Sequence, residues 1–350
     1  RPVTLTSESA SKAYDGTPLT KPDVEIGGDN FVPGEVEKVE ATGSITNVGG
    51  PVANTIVITP VEGGAYKESN YAITKNEGTL TVTASEKAVV ITAASNSWTY
   101  DGQAHSDAGF TVTYDGSTIT ANEDGKYILP TGDEVKVTVT GSVTNVDEGE
   151  VENTASYTLE NQSSYNSVQV IPGKLSINPR PVTLTSESAS KAYDGTPLTN
   201  NTVTVSGDGF ADGEGATYTV TGSQTLVGSS KNIFTYKLNS SVVEEGVAAY
   251  ADVKETKVEN YNITTIFGTL TVTDENIPDT AVVTKTNNGA TYGLGEEVTF
   301  DIWVKNIYAD ERTVTLVEID GVDIIGDASF TLAGGEEKTV QATYTITEDD

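Results

Sequence analysis

Through most of its length the chain alternates apolar and polar residues with a period of two. Val135-Lys136-Val137-Thr138-Val139 is one such run; in another, Val298, Phe300, Ile302 and Val304 alternate with Thr299, Asp301, Trp303 and Lys305. The runs are rich in Val, Thr, Ile and Tyr, and Gly, Asn and Asp interrupt them about every 8 to 12 residues. This spacing turns one side of a short strand to a core and the other to water, and it predicts short antiparallel strands. Only Val242 to Lys257 offers anything near a helical period, enough for a turn or two of helix. The expected class is all-β.

The alternation is organised by an internal repeat. Residues 1–20 (RPVTLTSESASKAYDGTPLT) recur unchanged as residues 180–199, and a diverged copy lies between them. Tyr14-Asp15-Gly16 is answered by Tyr100-Asp101-Gly102 and Tyr193-Asp194-Gly195. Thr42-Gly43-Ser44, Thr140-Gly141-Ser142 and Thr221-Gly222-Ser223 follow in the same order, and each copy closes on a run beginning with Gly78, Gly173 or Gly268. Self-similarity at a fixed period marks a repeat architecture. It divides the chain into repeats at 1–86, 87–179 and 180–273. Asp274 to Thr280 reads as a polar linker, and residues 281–350 form a different module, expected to be a small antiparallel sandwich. The repeats themselves are expected to be β-sandwich or β-grasp-like, since strand order is not legible from the pattern. The short joints Ala84 to Lys87 and Asn178 to Pro181 favour an elongated rod. Four modules with strands of about ten residues would span on the order of 130 Å.

Composition narrows the chemistry. Lys and Arg total 20 against 51 Asp and Glu, a formal charge of −31, so nucleic acid is not an expected partner. There is no Cys, which excludes disulfides and thiolate chemistry, and a single His, His105. No run approaches the roughly 20 apolar residues that span a bilayer, so membrane insertion is not expected. The chain starts at Arg1 inside a pattern that it later repeats, and it reads as a fragment of a longer polypeptide. The like charge and polar edges favour a monomer.

The motifs SKAYDGTPLT near the start, GDGF and TGSQTLVG in the middle and ENYNITTIFGTLTVT at the end resemble the YDG/MBG-type repeats of bacterial surface adhesins, over residues 1–273. The middle copy departs from them, with Trp98 where the outer copies have Lys12 and Lys191. Residues 281–350, through YGLGEEVTFDIWVKN and LAGGEEKTVQATYTIT, look like the Ig-like conserved repeat of Gram-positive surface proteins. The resemblance implies an extracellular protein displayed on a bacterial wall, with no enzymatic activity and no cofactor. A stalk holding a binding domain beyond the wall is the leading expectation. The alternative is an adhesin module that itself recognises host mucin, glycan or matrix protein.

Several residues stand out as candidate sites. The Asp-Gly of each YDG motif is above all a turn dipeptide, with Tyr packed beneath it. His105 aligns with Leu19 and Leu198, a packing position rather than a general base. Stalk domains of the kind the resemblance suggests can carry a Lys to Asn isopeptide bond. Lys12, Asn70 and Glu8, with their counterparts Lys191, Asn260 and Glu187, have the residue types for it; all three are lost together in the middle repeat, as Trp98, Ser164 and Ala94. Asp208, Asp212 and Glu214 lie in a glycine-rich loop with oxygen ligands for calcium, but without the regular spacing of a calcium loop. Trp303 falls on the polar side of its strand, where it would stack on a sugar or seal an interdomain contact.

Overall fold

A computed structural model describes residues 1–240, 254–275, 291–318 and 320–349. Regular structure among them is β, with 3-10 turns at Glu68–Asn70, Val146–Glu148, Gln162–Ser164 and Val258–Asn260 and no α-helix. The helical turn expected within Val242 to Lys257 falls mostly outside the described residues; 254–257 are irregular. The linker expected at 274–280 likewise lies outside from residue 276 onward. The chain divides into two compact units, Arg1–Asn178 and Pro179–Asp350.

In each repeat the first strand lies at the centre of a sheet: Pro2–Ser7, Val89–Ala93 or Arg180–Ser186. Its neighbours are an antiparallel strand that follows the YDG turn (Val24–Gly28, Phe110–Tyr114, Val203–Gly207) and a parallel strand near the end of the repeat (Ala72–Asn76, Val168–Ile171, Tyr261–Ile266). The second strand (Ala10–Ala13, Asn96–Thr99, Ala189–Ala192) pairs in parallel with the last (Thr79–Thr83, Gly173–Asn178, Thr269–Thr273). The sheets are therefore mixed, a correction to the purely antiparallel expectation. Period-two alternation is the same for either pairing, whereas the long connection from the start of a repeat to its end permits parallel neighbours.

The alternation itself is obeyed closely. Val3 and Leu5 are buried with Ile56 and Tyr71 in the first repeat, and Val182 and Leu184 repeat the pattern in the third. In the last module Glu297–Lys305 pairs antiparallel with Glu337–Thr345, and Ile302, Val304, Leu332 and Ala342 form the core. That module is tied to the third repeat by main-chain bonds: Val227 N–H donates to Ile307 O at 2.8 Å and Ala309 N–H to Val227 O at 2.9 Å.

One buried device recurs in all three repeats. Asn54, Asn153 and Asn232 are fully buried, and each amide donates to two main-chain carbonyls. The acceptors are Glu8 and Lys21 in the first repeat, Ala94 and Asp107 in the second, and Glu187 and Asn200 in the third. The TGS glycine of each repeat presses on the same Asn: a Cβ on Gly43, Gly141 or Gly222 would lie 2.7, 2.6 or 2.4 Å from its Oδ1. The mid-repeat motif is thus the notch that seats this amide. It also explains why position 8 tolerates Ala in the middle copy: its backbone carbonyl serves the clamp, not its side chain.

Candidate functional site: the junction of the first and second repeats

The YDG motif is a rigid turn. Gly16 sits at φ +77°, and the Asp15 carboxylate accepts from Thr17 N–H at 2.9 Å, Thr17 Oγ1 at 2.7 Å and Lys12 Nζ at 2.7 Å. Lys12 also donates to Thr17 O at 2.7 Å. The Lys12 ammonium, helped by Thr17, holds the Asp15 carboxyl down at about 2. The third repeat copies this arrangement through Lys191, Asp194 and Thr196, with Asp194 lowered for the same reasons, Lys191 first.

The middle repeat solves the same problem with different residues. Asp101 accepts from Gln103 N–H at 2.9 Å, and His105 Nε2 lies 2.9 Å from the same oxygen. Trp98, at the lysine position, stacks on the imidazole at 5.0 Å with planes 17° apart. His105 bridges Val143 as Leu19 pairs with Ile45 and Leu198 bridges Gln224, so its alignment with the two leucines holds in space.

These contacts revise two expectations. Lys12 and Lys191 are engaged by their own turns, each donating to an aspartate carboxylate and a threonine carbonyl. Glu8 pairs with Lys21 at 3.5 Å, and Asn70 is exposed while Asn260 is buried. Lys12, Asn70 and Glu8 are not brought together for an isopeptide bond, and the joint loss at Trp98 reflects the exchange of a Lys–Asp pair for a Trp–His–Asp stack. The calcium loop does not assemble either. Glu214 accepts the Tyr261 hydroxyl at 2.8 Å, and no group of three or more carboxylate or imidazole side chains among the described residues is placed to hold a metal ion. Trp303 stands 38% exposed on its strand, beside the Lys305–Glu337 ion pair.

The sequence pattern puts Tyr14 beneath its own turn. The structure places it across the boundary, in the second repeat. Its hydroxyl reaches the buried Asp133 carboxylate at 2.9 and 3.1 Å. Asn161 Nδ2 donates to the same carboxylate at 2.7 Å and Thr131 Oγ1 at 3.0 Å, and the Tyr165 hydroxyl donates as well. The Tyr14 and Tyr165 rings meet edge to face at 5.7 Å, a favoured aromatic geometry. Burial first and Asp133 second push the Tyr14 hydroxyl up to about 12, and the same two causes raise Tyr165.

Around this cluster the two repeats share one apolar core. Tyr14, Leu19, Leu80 and Val82 pack with Val89, Ile91, Leu129, Val135 and Tyr165. The joint is pinned too: Ser85 N–H donates to Ser164 O at 2.8 Å and Asn166 N–H to Ser85 O at 3.0 Å. Gly16 is closer to the second repeat than any side chain would allow, since a Cβ there would fall 1.8 Å from Thr131 O.

The acid belongs to a feature of every repeat. Gly34-Glu35, Gly132-Asp133 and Gly213-Glu214 each place a carboxylate after a positive-φ glycine, and each carboxylate accepts from a tyrosine that follows a 3-10 turn. Tyr71 meets Glu35 at 2.6 Å and Tyr261 meets Glu214 at 2.8 Å. Three-way alignment would have exposed this Gly-acid and Tyr pairing; nothing in the sequence marks the second copy as the one that receives Tyr14. A scan against protein-family models and a search of curated proteins return no match to this chain.

Proposed function

We propose that the chain is a non-enzymatic stalk segment of a bacterial cell-surface adhesin, an extracellular spacer that holds a binding domain away from the wall. The observation that carries this reading is the junction itself. A spacer needs neighbouring modules fixed to one another, and here a buried carboxylate, a shared core and a hydrogen-bonded joint do that. The acidic surface supports it further, since like charge keeps crowded segments apart. No helix among the described residues is long and apolar enough to cross a membrane.

The second reading, direct recognition of mucin or matrix glycan, draws on two surface features. One is Trp303; the other is an open groove on the second repeat lined by Ser95, Asn96, Ser97, Glu150, Lys174 and Ser176. Binding of the full chain to a panel of mucins, host glycans and matrix proteins separates the two readings. A stalk gives no saturable binding, and Trp303→Ala changes nothing. Saturable binding abolished by Trp303→Ala, or by Lys174→Ala in the groove, would overturn the stalk reading in favour of the adhesin.

A further inference from the structure

Each repeat opens and closes on one parallel ribbon. In the first, Pro2 faces Ala72 in one sheet and Ala10 faces Leu80 in the next, at the same offset, so the opening segment 2–13 runs beside the closing segment 72–83 from sheet to sheet. The other repeats keep the rule. Val89 faces Val168 and Asn96 faces Leu175; Val182 faces Ile263 and Ala189 faces Leu270. Where the main-chain ladder lapses between the sheets, serine hydroxyls continue it. Gly78 N–H donates to Ser7 Oγ at 3.0 Å and Thr79 N–H to Ser9 Oγ at 2.9 Å, and the third repeat has both bonds through Ser186 and Ser188. The second keeps one, from Lys174 N–H to Ser95 Oγ at 3.0 Å, and folds with Ala93 at the other place. The glycine that starts each closing run lets the segments touch there: a Cβ on Gly78, Gly173 or Gly268 would lie 2.3, 2.0 or 2.4 Å from an opposing carbonyl oxygen.

We propose that this ribbon is a tension lock, in which a pull from the start of a repeat to its end is resisted along the whole ribbon at once. Because the paired segments are parallel, the chain enters at one end of the ribbon and leaves at the other. Tension slides one segment along its partner, so the rungs must be strained together before any breaks. An antiparallel pair pulled from its shared end opens one rung at a time. Val24–Gly28, the edge strand opposite Pro2–Ser7, forms such a pair, with Gly28 facing Val3. The last module also has one among its described strands, where Glu297 faces Thr345. Resistance to tension follows from the register alone; its use on a cell surface rests on the stalk reading above.

Stretching single molecules of the full chain along two axes tests the lock, because forced unfolding reads the unfolding barrier. The chain has no Cys, so one substitution supplies each attachment point. The amino terminus with Glu86→Cys loads the ribbon lengthwise; the amino terminus with Asp29→Cys peels Val24–Gly28 from the same repeat. Both substituted residues are exposed. The lengthwise axis should rupture at several times the force of the peeling axis. Ser7→Ala with Ser9→Ala removes both serine rungs, and should lower the lengthwise force while leaving the peeling force unchanged. Similar forces on the two axes, or a serine variant that does not weaken the lengthwise axis selectively, would overturn the proposal. A strong ribbon together with saturable glycan binding would instead sink the stalk reading and leave the lock standing.

Discussion

Gly16→Ala is expected to open the junction, whereas Gly195→Ala, in an identical stretch of twenty residues, is not. Both glycines have φ +77°, so each alanine meets the backbone strain of a left-handed residue, about 1 to 2 kcal/mol. Only at Gly16 does the new Cβ collide with backbone, 1.8 Å from Thr131 O; at Gly195 the nearest atom among the described residues is the Tyr193 hydroxyl at 4.0 Å. A backbone carbonyl cannot swing aside, so the turn must withdraw and take Tyr14 with it. Loss of the docked ring and its hydrogen bond should cost about 2 to 4 kcal/mol beyond the strain. For a unit of this size that is a fall of roughly 5 to 15 °C in melting temperature by calorimetry, against a few degrees for Gly195→Ala. Alkali offers a second readout. The proton of Tyr14 is held more tightly in the docked state than in an unfolded chain, so its contribution is complete below about pH 10. It is lost as pH rises through about 12. The wild type should therefore lose stability across that window more steeply than Gly16→Ala, in which Tyr14 is already undocked. Equal effects of the two glycine substitutions would show that the turn does not bear on the second repeat.

Asn153→Asp is expected to be the most damaging single-atom change in the second repeat. The Asn153 amide donates to Ala94 O at 2.8 Å and Asp107 O at 2.9 Å, and a carboxylate there would set a buried charge against two carbonyl oxygens. Both bonds become repulsions, and burial adds the cost of desolvating the charge. A penalty of about 3 to 5 kcal/mol at neutral pH follows for an uncompensated buried charge. It should shrink near pH 4, where the acid can protonate and donate one of the two bonds. Chemical denaturation at both pH values checks the size and the sign; wild-type stability at pH 7 would mean that the amide is not the clamp described here. Asn54 and Asn232, in the same setting, should respond alike.

Much of the architecture was legible because it depends on local pattern. Val3 and Leu5 alternate with Thr4 and Thr6, and a one-face-buried strand follows directly. His105 could be placed against Leu19 and Leu198 because the turn before it is the same in all three repeats. What stayed hidden depends on neighbours. Residues 1–20 and 180–199 are identical, yet Tyr14 is buried under Asp133 and Tyr193 is only half-buried. Sequence says that such a tyrosine will seek cover; it does not say what covers it. The crosslink expectation erred in the other direction, reaching for Asn70, distant in sequence, when Lys12 had Asp15 and Thr17 three and five residues away. The oxygens and glycines around Asp208, Asp212 and Glu214 offer calcium ligands without the spacing of a calcium loop, and in the structure the Glu214 carboxylate accepts from Tyr261. Parallel pairing left no trace in the period-two pattern, which is blind to strand direction.

A spacer built on this junction requires residues 1–178 to tumble as one body. Residual dipolar couplings of backbone amides in the full chain measure that directly, because two rigidly joined repeats share one alignment tensor. Couplings from the strands between Pro2 and Thr83 and those between Val89 and Asn178 should fit a single tensor in the wild type and split into two in Gly16→Ala. Two distinct tensors in the wild type would mean that Tyr14 does not lock the repeats together, and the mechanical reading of the segment would fall with it.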